Sequence, residues 1–238
     1  MTAWAQRSYS DEQMLLHELD HRINNELASA IGAISLAAAR TKNREVKDAL
    51  SAVAKLLHHY ADVHRALRMP ESDALVDAAA YLGQLCLSVS RSKLEYREIA
   101  LVLVAEPLRL EADRCWRLAM IMHELINNAA RHAFARGSGE IRVELRRAGS
   151  FVECRVLDNG SPAAKVQPGR GLKIIDELAK GLDGRFEPAF GSQGSTFVLT
   201  FPYTYTSMES EDTPAEIVEP SLDEPARDGL AHAEYVNI

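Results

Sequence analysis

The sequence predicts an α+β protein in which an N-terminal helical hairpin precedes an α/β sandwich. In residues 14–38 and 46–67, apolar side chains recur every three or four positions, which is typical of amphipathic helices. After a proline at position 70, short apolar runs bounded by glycine and serine alternate with helical stretches, which indicates a mixed sheet. An aromatic content of only 6% argues against an all-β fold.

Composition excludes several classes of protein. Hydrophobic residues make up 47% and charged residues 26% of the chain, as in ordinary soluble domains. No apolar run approaches the roughly 20 residues that cross a bilayer, and the N-terminus lacks an apolar signal core, so we expect a cytoplasmic protein. The three cysteines are widely spaced and form no CxxC pair, so neither a disulfide framework nor a zinc site is predicted.

The net charge of -7 is concentrated at the C-terminus. Residues 203–238 contain nine acidic residues and one basic residue, Arg227, with three prolines among them. We expect this segment to be a disordered acidic tail. The rest of the chain is nearly neutral, so its net charge gives no argument for nucleic-acid binding.

Residues 1–70 are predicted to form the hairpin. The first helix covers residues 14–38, and after the polar turn at residues 41–43 a second apolar stripe runs to Leu67, with Asn43 as the N-cap of its helix. The apolar stripe of the first helix comprises Leu16, Leu19, Ile23, Leu27, Ala30 and Ile34. Two helices alone leave much of these stripes exposed to water, so we expect a homodimer that completes a four-helix bundle.

The Met69-Pro70 step ends the hairpin because proline cannot continue a helix, and residues 71–202 are predicted to form the second domain. Its periodicities predict helices at residues 76–90, 114–134 and 172–182. Strands are predicted at residues 99–104, 141–147, 151–157, 185–190 and 196–201. Residues 158–170 read as a loop. Helices packed on one face of an antiparallel or mixed sheet make an α/β sandwich.

His21 is the first candidate for chemistry. It lies two residues from both Leu19 and Ile23, and two steps of about 100° place it opposite the apolar stripe, where it is exposed. An exposed imidazole with a neutral nitrogen lone pair is a nucleophile for a phosphoryl group. A solvated surface histidine is the alternative interpretation of this segment alone.

A polar helix face at residues 123–134 is the second candidate. Glu124, Asn127, Asn128 and Arg131 recur opposite the apolar face, and two adjacent asparagines inside a helix call for a reason other than helix formation. The oxygens of Glu124 and Asn128 suit Mg²⁺, and Arg131 can bind phosphate. The alternative is an ordinary solvated helix face.

Three loops follow that helix. Asp158-Asn159-Gly160 ends an apolar strand, Gly169-Arg170-Gly171 opens a helix, and a glycine-rich segment at residues 191–196 precedes the last strand. A strand-end aspartate can accept from an amino group such as that of adenine, and glycines at a helix N-terminus expose backbone N–H groups to phosphate. Each loop alone is an ordinary turn, but their order after Asn128 points to a nucleotide pocket.

Together these motifs resemble the core of sensor histidine kinases of the HisKA_2 group, whose phosphoacceptor box reads HRxxN. Here that box is His21, Arg22 and Asn25. The segment HELINNAARHAF resembles the asparagine box of the family, and DNG, GRGLKIIDELAKGLDG and GSQGSTFVLTFP resemble its glycine boxes. The resemblance covers residues 12–202 and implies a dimerisation and phosphotransfer hairpin followed by a GHKL-type ATP-binding domain.

The resemblance implies a soluble two-component kinase that phosphorylates His21 from Mg-ATP and passes the group to an aspartate of a response regulator. Asn128 would bind Mg²⁺, Asp158 would contact adenine, and Asp20 or Glu124 would deprotonate His21. The implied ATP-binding residues are Asn127, Asn128, Arg131, His132, Asp158, Gly160, Gly169, Arg170, Gly171, Gly194 and Thr196. Only about a dozen residues precede the hairpin, so we expect a separate protein to supply the signal.

Two departures from the family pattern support an alternative. Ser161-Pro162 stands where a second glycine is usual, and the loop from Ser161 to Pro168 is short for a lid over ATP. A histidine phosphotransferase with a degenerate ATP site, relaying phosphate between response regulators through His21, would tolerate both. A nucleotide-dependent binding module such as an anti-sigma serine kinase would need the pocket but not the box at His21, which argues against it.

Overall fold

The computed structural model describes residues 3–70, 75–134, 137–161, 170–192, 194–204 and 234–237. Helix α1 (Ala3–Arg40) and helix α2 (Arg44–Ala66) form the predicted hairpin. Asn43 caps α2 as expected, because its Oδ1 accepts from the backbone N–H groups of Glu45 at 2.9 Å and Val46 at 3.2 Å. The helix α1 begins eleven residues earlier than the apolar pattern indicated.

The hairpin exposes apolar side chains on both helices. Leu19 is 55% and Ile23 is 38% exposed, although both belong to the predicted stripe. Large exposed apolar residues on either helix are Leu19, Ile23, Leu36, Val46, Val53 and Leu56. Within the described part of the chain, the two helices therefore cover each other only in part.

The rest of the described chain begins with strand β1 (Val76–Asp77), which leads directly into helix α3 (Ala78–Val89). A π-helical turn, Ser90–Leu94, and a 3₁₀ turn, Glu95–Arg97, connect α3 to the sheet. The following elements, in chain order, are β2 (Ile99–Ala105), β3 (Arg109–Leu110), α4 (Ala112–His132), β4 (Gly139–Ala148), β5 (Phe151–Asp158), α5 (Arg170–Lys180), β6 (Arg185–Gly191), β7 (Gly194–Pro202) and β8 (Glu234–Asn237).

The main sheet is mixed, with the strand order β6-β7-β5-β4-β2-β8. Strands β2 and β4 run parallel, and all other neighbours are antiparallel, including the predicted hairpin that turns after Ala148. Strands β1 and β3 form a separate two-stranded pair that the sequence pattern did not predict. The fold is therefore the expected α+β arrangement of helices and a mixed sheet.

One face of the sheet carries the core. Inward residues alternate along the strands, as in Ile141, Val143 and Leu145 of β4, and all three are buried. They join the buried faces of α3, α4 and α5 in one cluster, which also contains Val63 and Ala66 from the end of α2. The hairpin is thus packed onto the sandwich at that end of α2.

The predicted boundary at residues 69–72 falls partly on residues 71–74, which lie outside the described chain. On either side of it the hairpin and the sandwich are joined by hydrogen bonds. Trp116 Nε1 donates to Leu67 O at 3.0 Å, and Tyr81 OH donates to Arg68 O at 2.9 Å. No helix of the described residues is long and apolar enough to cross a membrane.

The tail requires one correction. Residues 203–238 were expected to lack regular structure, yet Glu234–Asn237 form β8, which pairs antiparallel with β2. The register joins Leu103 to Val236 and Val104 to Tyr235. An edge strand has unpaired backbone groups, so β2 can pair with a short additional strand. The acidic composition of residues 203–238 does not predict such a strand. Residues 205–233 lie outside the described chain.

Candidate functional site

The box around His21 lies on the exposed part of α1, as predicted. Asn25 Nδ2 is 3.1 Å from His21 Nδ1, one helical turn away, so the amide holds one ring nitrogen of the imidazole. Arg22 instead pairs with the preceding turn, where its Nε donates to Glu18 Oε1 at 2.8 Å. The side chain of Asp20 lies outside the described residues.

Glu124 and Asn128 lie on α4 where the first turn of α5 approaches it. A Cβ atom on Gly171 would lie 3.1 Å from Glu124 Oε2 and 3.5 Å from Asn128 Nδ2. The absence of a side chain at Gly171 therefore keeps space in front of a carboxylate and an amide, beside the start of a helix. Carboxylate and amide oxygens are the ligands that Mg²⁺ prefers, and helix N-termini favour anions, so this corner fits a metal-bound phosphate.

Asn127 faces a different direction. Its Oδ1 accepts from Lys93 Nζ at 2.8 Å, and its Nδ2 is 3.0 Å from His123 Nε2. Burial, followed by the charges of Lys93 and His64, lowers the pKa of His123 to about 4. Burial also lowers the pKa of Lys93. The nearby charge of Arg131 lowers this pKa further, whereas the charge of Glu124 raises it. The oxygen and the nitrogen of the Asn127 amide thus both contact protein groups. The contact of Asn127 with ATP stays a prediction from the sequence.

The end of α4 carries Arg131 and His132, both exposed. Arg97 holds this end, because its guanidinium donates to Ala130 O at 2.7 Å and to Phe134 O at 2.6 Å. Arginine is suited to two carbonyls because its N–H groups form a planar fork. The last turn of α4 is therefore held by hydrogen bonds from the 3₁₀ turn Glu95–Arg97.

Asp158, Gly160 and Gly194 meet at the ends of β5 and β7. Asp158 is 8% exposed, and its Oδ1 accepts from the backbone N–H of Gly160 at 3.1 Å. Gly194 has a φ of +128°, and a Cβ there would overlap the carbonyl oxygen of Asp158. Thr196 is the register partner of Leu157, next to Asp158, so all four predicted residues share this end of the sheet.

The loop that follows Asp158 is hydrogen-bonded to the end of α4. Ser161 N donates to Ala133 O at 3.1 Å, and a Cβ on Gly160 would lie 2.5 Å from that oxygen. Asn128 precedes Ala133 by five residues, or about 7.5 Å of helix. The structure thus assembles two predicted groups, Glu124-Asn128-Gly171 and Asp158-Gly160-Gly194-Thr196, along one helix. Gly169 and the side chain of Arg170 lie outside the described residues.

Lys93, His123 and Arg97 were not predicted as functional residues from the sequence. Lys93 and Arg97 lie in the two short turns after α3, where no periodicity indicates which side chains point inward. His123 stands at the start of the HELINNAARHAF segment, but its partners Lys93 and His64 are far away in sequence. The one available signal was that Lys93 lies between the small and apolar residues Ser92 and Leu94, in a connection with no helical or strand periodicity.

Two family profiles match consecutive parts of the chain. The HisKA_2 profile, described as histidine kinase, matches residues 18–93, and a profile described as histidine kinase-like ATPase domain matches residues 92–191. The first match contains the box at His21, and the second contains α4 and the loops around Asp158 and Gly171. The boundary between the matches falls at the π-helical turn.

Relatives and solved structures agree with these matches. The chain is 28% identical to the sensor histidine kinase PdtaS of Mycobacterium tuberculosis over 186 residues, covering 75% of this chain and 37% of the relative. It is 24% identical to blue-light-activated histidine kinase 2 of Erythrobacter litoralis, covering 79% and 56% respectively. The histidine kinase domain of Erythrobacter litoralis EL346 shares the fold, with a TM-score of 0.54 at 18% identity over 75% of this chain and 95% of that one. The chain thus spans little more than a third of the length of PdtaS.

Proposed function

We propose that this chain, which belongs to the histidine kinase family, transfers the γ-phosphoryl group of ATP to an imidazole nitrogen of His21. The observation that carries the proposal is the approach of Gly171 to Glu124 and Asn128, which leaves space for phosphate beside two oxygen-bearing side chains. The exposed imidazole of His21, held by Asn25, supplies the nucleophile.

The nucleotide is bound by two groups of residues in this proposal. Asp158 accepts a hydrogen bond from the amino group of adenine, and Gly160 and Gly194 allow the backbone to pass close to it. The first turn of α5 at Gly171 and the amide of Asn128 receive the phosphates, and Arg131 offsets their charge from the end of the same helix as Asn128. Mg²⁺, held by Asn128, would neutralise charge on the phosphate oxygens.

The transfer forms a bond between phosphorus and a nitrogen of His21 and breaks the bond between the γ-phosphorus and the β-γ bridging oxygen, so ADP leaves. The ring loses a proton to a base. Glu124 on the nucleotide side and Asp20 beside His21 are the two candidates that the sequence leaves open. The phosphohistidine then passes its group to an aspartate of a response-regulator receiver domain, and the exposed apolar stripes of the hairpin form a homodimeric bundle.

Incubation with Mg²⁺ and γ-labelled ATP tests the proposal. We expect acid-labile, base-stable label on the wild-type protein and none on His21→Ala or Asn128→Ala. The matched control is His58→Ala, which removes another exposed histidine from the same hairpin and is expected to retain the label. If the wild-type protein takes no label from ATP but a phosphorylated receiver domain phosphorylates His21, the kinase proposal is wrong. The chain would then be the phosphotransferase of the alternative hypothesis.

A further inference from the structure

Helix α4 presents two polar stripes to two different parts of the molecule. Glu124 and Asn128 face Gly171, at the start of α5. His123 and Asn127 each lie one residue earlier, about 100° around the helix. Trp116, seven residues before His123, shares their side of the helix and donates to Leu67 O, just after α2. The stripe Trp116-His123-Asn127 is therefore the face of α4 that meets the hairpin.

A lysine from outside the helix holds this stripe. The ammonium of Lys93 can only donate, so Asn127 Oδ1 is the acceptor of their 2.8 Å contact. The remaining Nδ2 of Asn127 then donates to His123 Nε2 at 3.0 Å, which requires a neutral imidazole. The π-helical turn Ser90–Leu94 delivers Lys93 to this position, and its buried residues Ser90, Ser92 and Leu94 anchor it. π-Helical turns of this kind occur frequently at functional sites.

Helix α2 of the hairpin packs against the π-helical turn that carries Lys93. His64 on α2 also lies near enough to His123 for its positive charge to lower the pKa of that imidazole. His21 precedes the end of α1 by 19 residues, and His64 follows the start of α2 by 20. At 1.5 Å per residue both lie about 30 Å from the hairpin turn, so they share one level of the hairpin. The hairpin residue whose charge acts on His123 therefore lies at the level of His21, and the turn that carries Lys93 packs against the same helix.

We propose that Lys93 is a positioning residue for phosphoryl transfer, acting through Asn127 and His123 to hold α4 in register with the hairpin that carries His21. This inference rests on the proposed kinase function. It assigns Lys93 to the transfer step and not to ATP binding, because its hydrogen bond is to Asn127 on the hairpin-facing stripe. Glu124, on the nucleotide-facing stripe, acts on Lys93 only through its charge. Displacements of about 1 Å in a reacting geometry can cost as much as 100-fold in rate.

The test compares Lys93→Met, which keeps the aliphatic stem and removes the donor, with Lys93→Arg, which keeps a charged donor. At saturating ATP we expect Lys93→Met to lower the rate of label transfer to His21 by at least about tenfold, with the Kd of a fluorescent ATP analogue changed less than about threefold. Lys93→Arg is expected to recover most of the rate. The control Lys180→Met removes an exposed lysine that pairs with Asp176 and Glu177 on its own helix, and should behave as wild type.

Two outcomes of the kinetic test overturn the proposal: an unchanged rate in Lys93→Met, or a loss of ATP affinity as large as the loss of rate. A second readout does not depend on activity. Long-range ¹H–¹⁵N spectra of the histidine rings, assigned with His123→Gln, should show a neutral His123 ring with Nε2 as acceptor in the wild type and altered nitrogen signals in Lys93→Met. Unchanged His123 signals would also overturn it. A wild-type protein without label refutes the kinase function, whereas these spectra still report on the Lys93 chain.

Discussion

Gly194, at the start of β7, lies directly against the carbonyl of Asp158, at the end of β5. The two residues close the end of the sheet where the adenine contact is proposed, and Gly194 reaches this position with a φ of +128°. A side chain there would overlap the Asp158 carbonyl oxygen. The backbone at Asp158 therefore depends on the residue type at position 194, and so does the direction of its carboxylate.

Gly194→Ala is expected to weaken nucleotide binding and to destabilise the fold. The strained φ and the overlap with Asp158 each cost on the order of 1–3 kcal/mol unless β7 moves, and movement would displace the aspartate. Titration with a fluorescent ATP analogue and thermal unfolding measure the two effects. Gly137→Ala is the matched control, because a Cβ at Gly137 would meet no atom of the described residues within 4 Å. Equal affinities of the two variants would show that Gly194 does not shape the pocket.

The hairpin gives a second prediction. Leu27 and Ile34 are half-buried in the single chain, on the stripe that continues to the exposed Leu19 and Ile23. Replacing Leu27 or Ile34 with aspartate should convert a dimer into a monomer, because an unpaired carboxylate cannot be buried in an apolar bundle without a large penalty. Light scattering measures the molar mass. Lys42→Asp, in the turn between the helices, is the control, and an unchanged dimer in both core variants would refute this interface.

The end of α4 gives a third prediction, at Arg97. Its two hydrogen bonds to Ala130 O and Phe134 O are lost in Arg97→Ala, which should lower the free energy of unfolding by about 1–3 kcal/mol. Because Ala133 O also accepts from Ser161 N, loosening this turn should weaken ATP binding as well. Denaturant unfolding and analogue titration measure both.

Two variants make the Arg97 experiment specific. Arg97→Lys can retain one of the two contacts and should give an intermediate loss of stability. Arg91→Ala removes an exposed arginine from the preceding turn and should change neither quantity. If Arg97→Ala and Arg91→Ala were equally stable, the contribution of the guanidinium to the end of α4 would be negligible.

Local patterns predicted the elements whose causes are local. The Asn43 cap and the turn after Ala148 depend on residues within a few positions, and both occur as expected. The rotation of α4 was predictable only in part. Its apolar face separates the core from the polar side, but neighbouring polar positions differ by about 100°, and only tertiary partners show that Asn128 meets Gly171 while Asn127 meets Lys93.

Long-range partners explain what the sequence did not predict. The π-helical turn Ser90–Leu94 places Lys93 against Asn127, which lies 34 positions later in the sequence. Strand β8 forms against β2, more than 120 residues earlier, in a segment whose composition indicates disorder. In both cases the stabilising contact lies outside any window in which hydrophobic periodicity can be read.

His123 connects the fold to pH. Burial, Lys93 and His64 lower its pKa from 6.5 to about 4, so the folded state excludes a proton that the unfolded state binds between these values. The free energy of unfolding then rises with pH across this window, and the contribution of His123 reaches its full value above about pH 6.5. At 1.36 kcal/mol per unit, the loss on acidification to pH 4 is at most roughly 3 kcal/mol.

His123→Gln should remove this part of the pH dependence, because the glutamine amide oxygen can accept from Asn127 without titrating. We expect the stability of the wild type, measured by denaturant unfolding, to fall relative to His123→Gln as the pH is lowered from 6.5 to 4, and the two curves to run parallel above pH 7. Carboxylates titrate at the acidic end in both proteins, so the difference between the curves isolates the histidine. His58→Gln, which replaces an exposed histidine, should follow the wild type throughout. Parallel curves for wild type and His123→Gln down to pH 4 would mean that His123 accepts a proton in the folded state, and the acceptor role of its Nε2 toward Asn127 would be wrong.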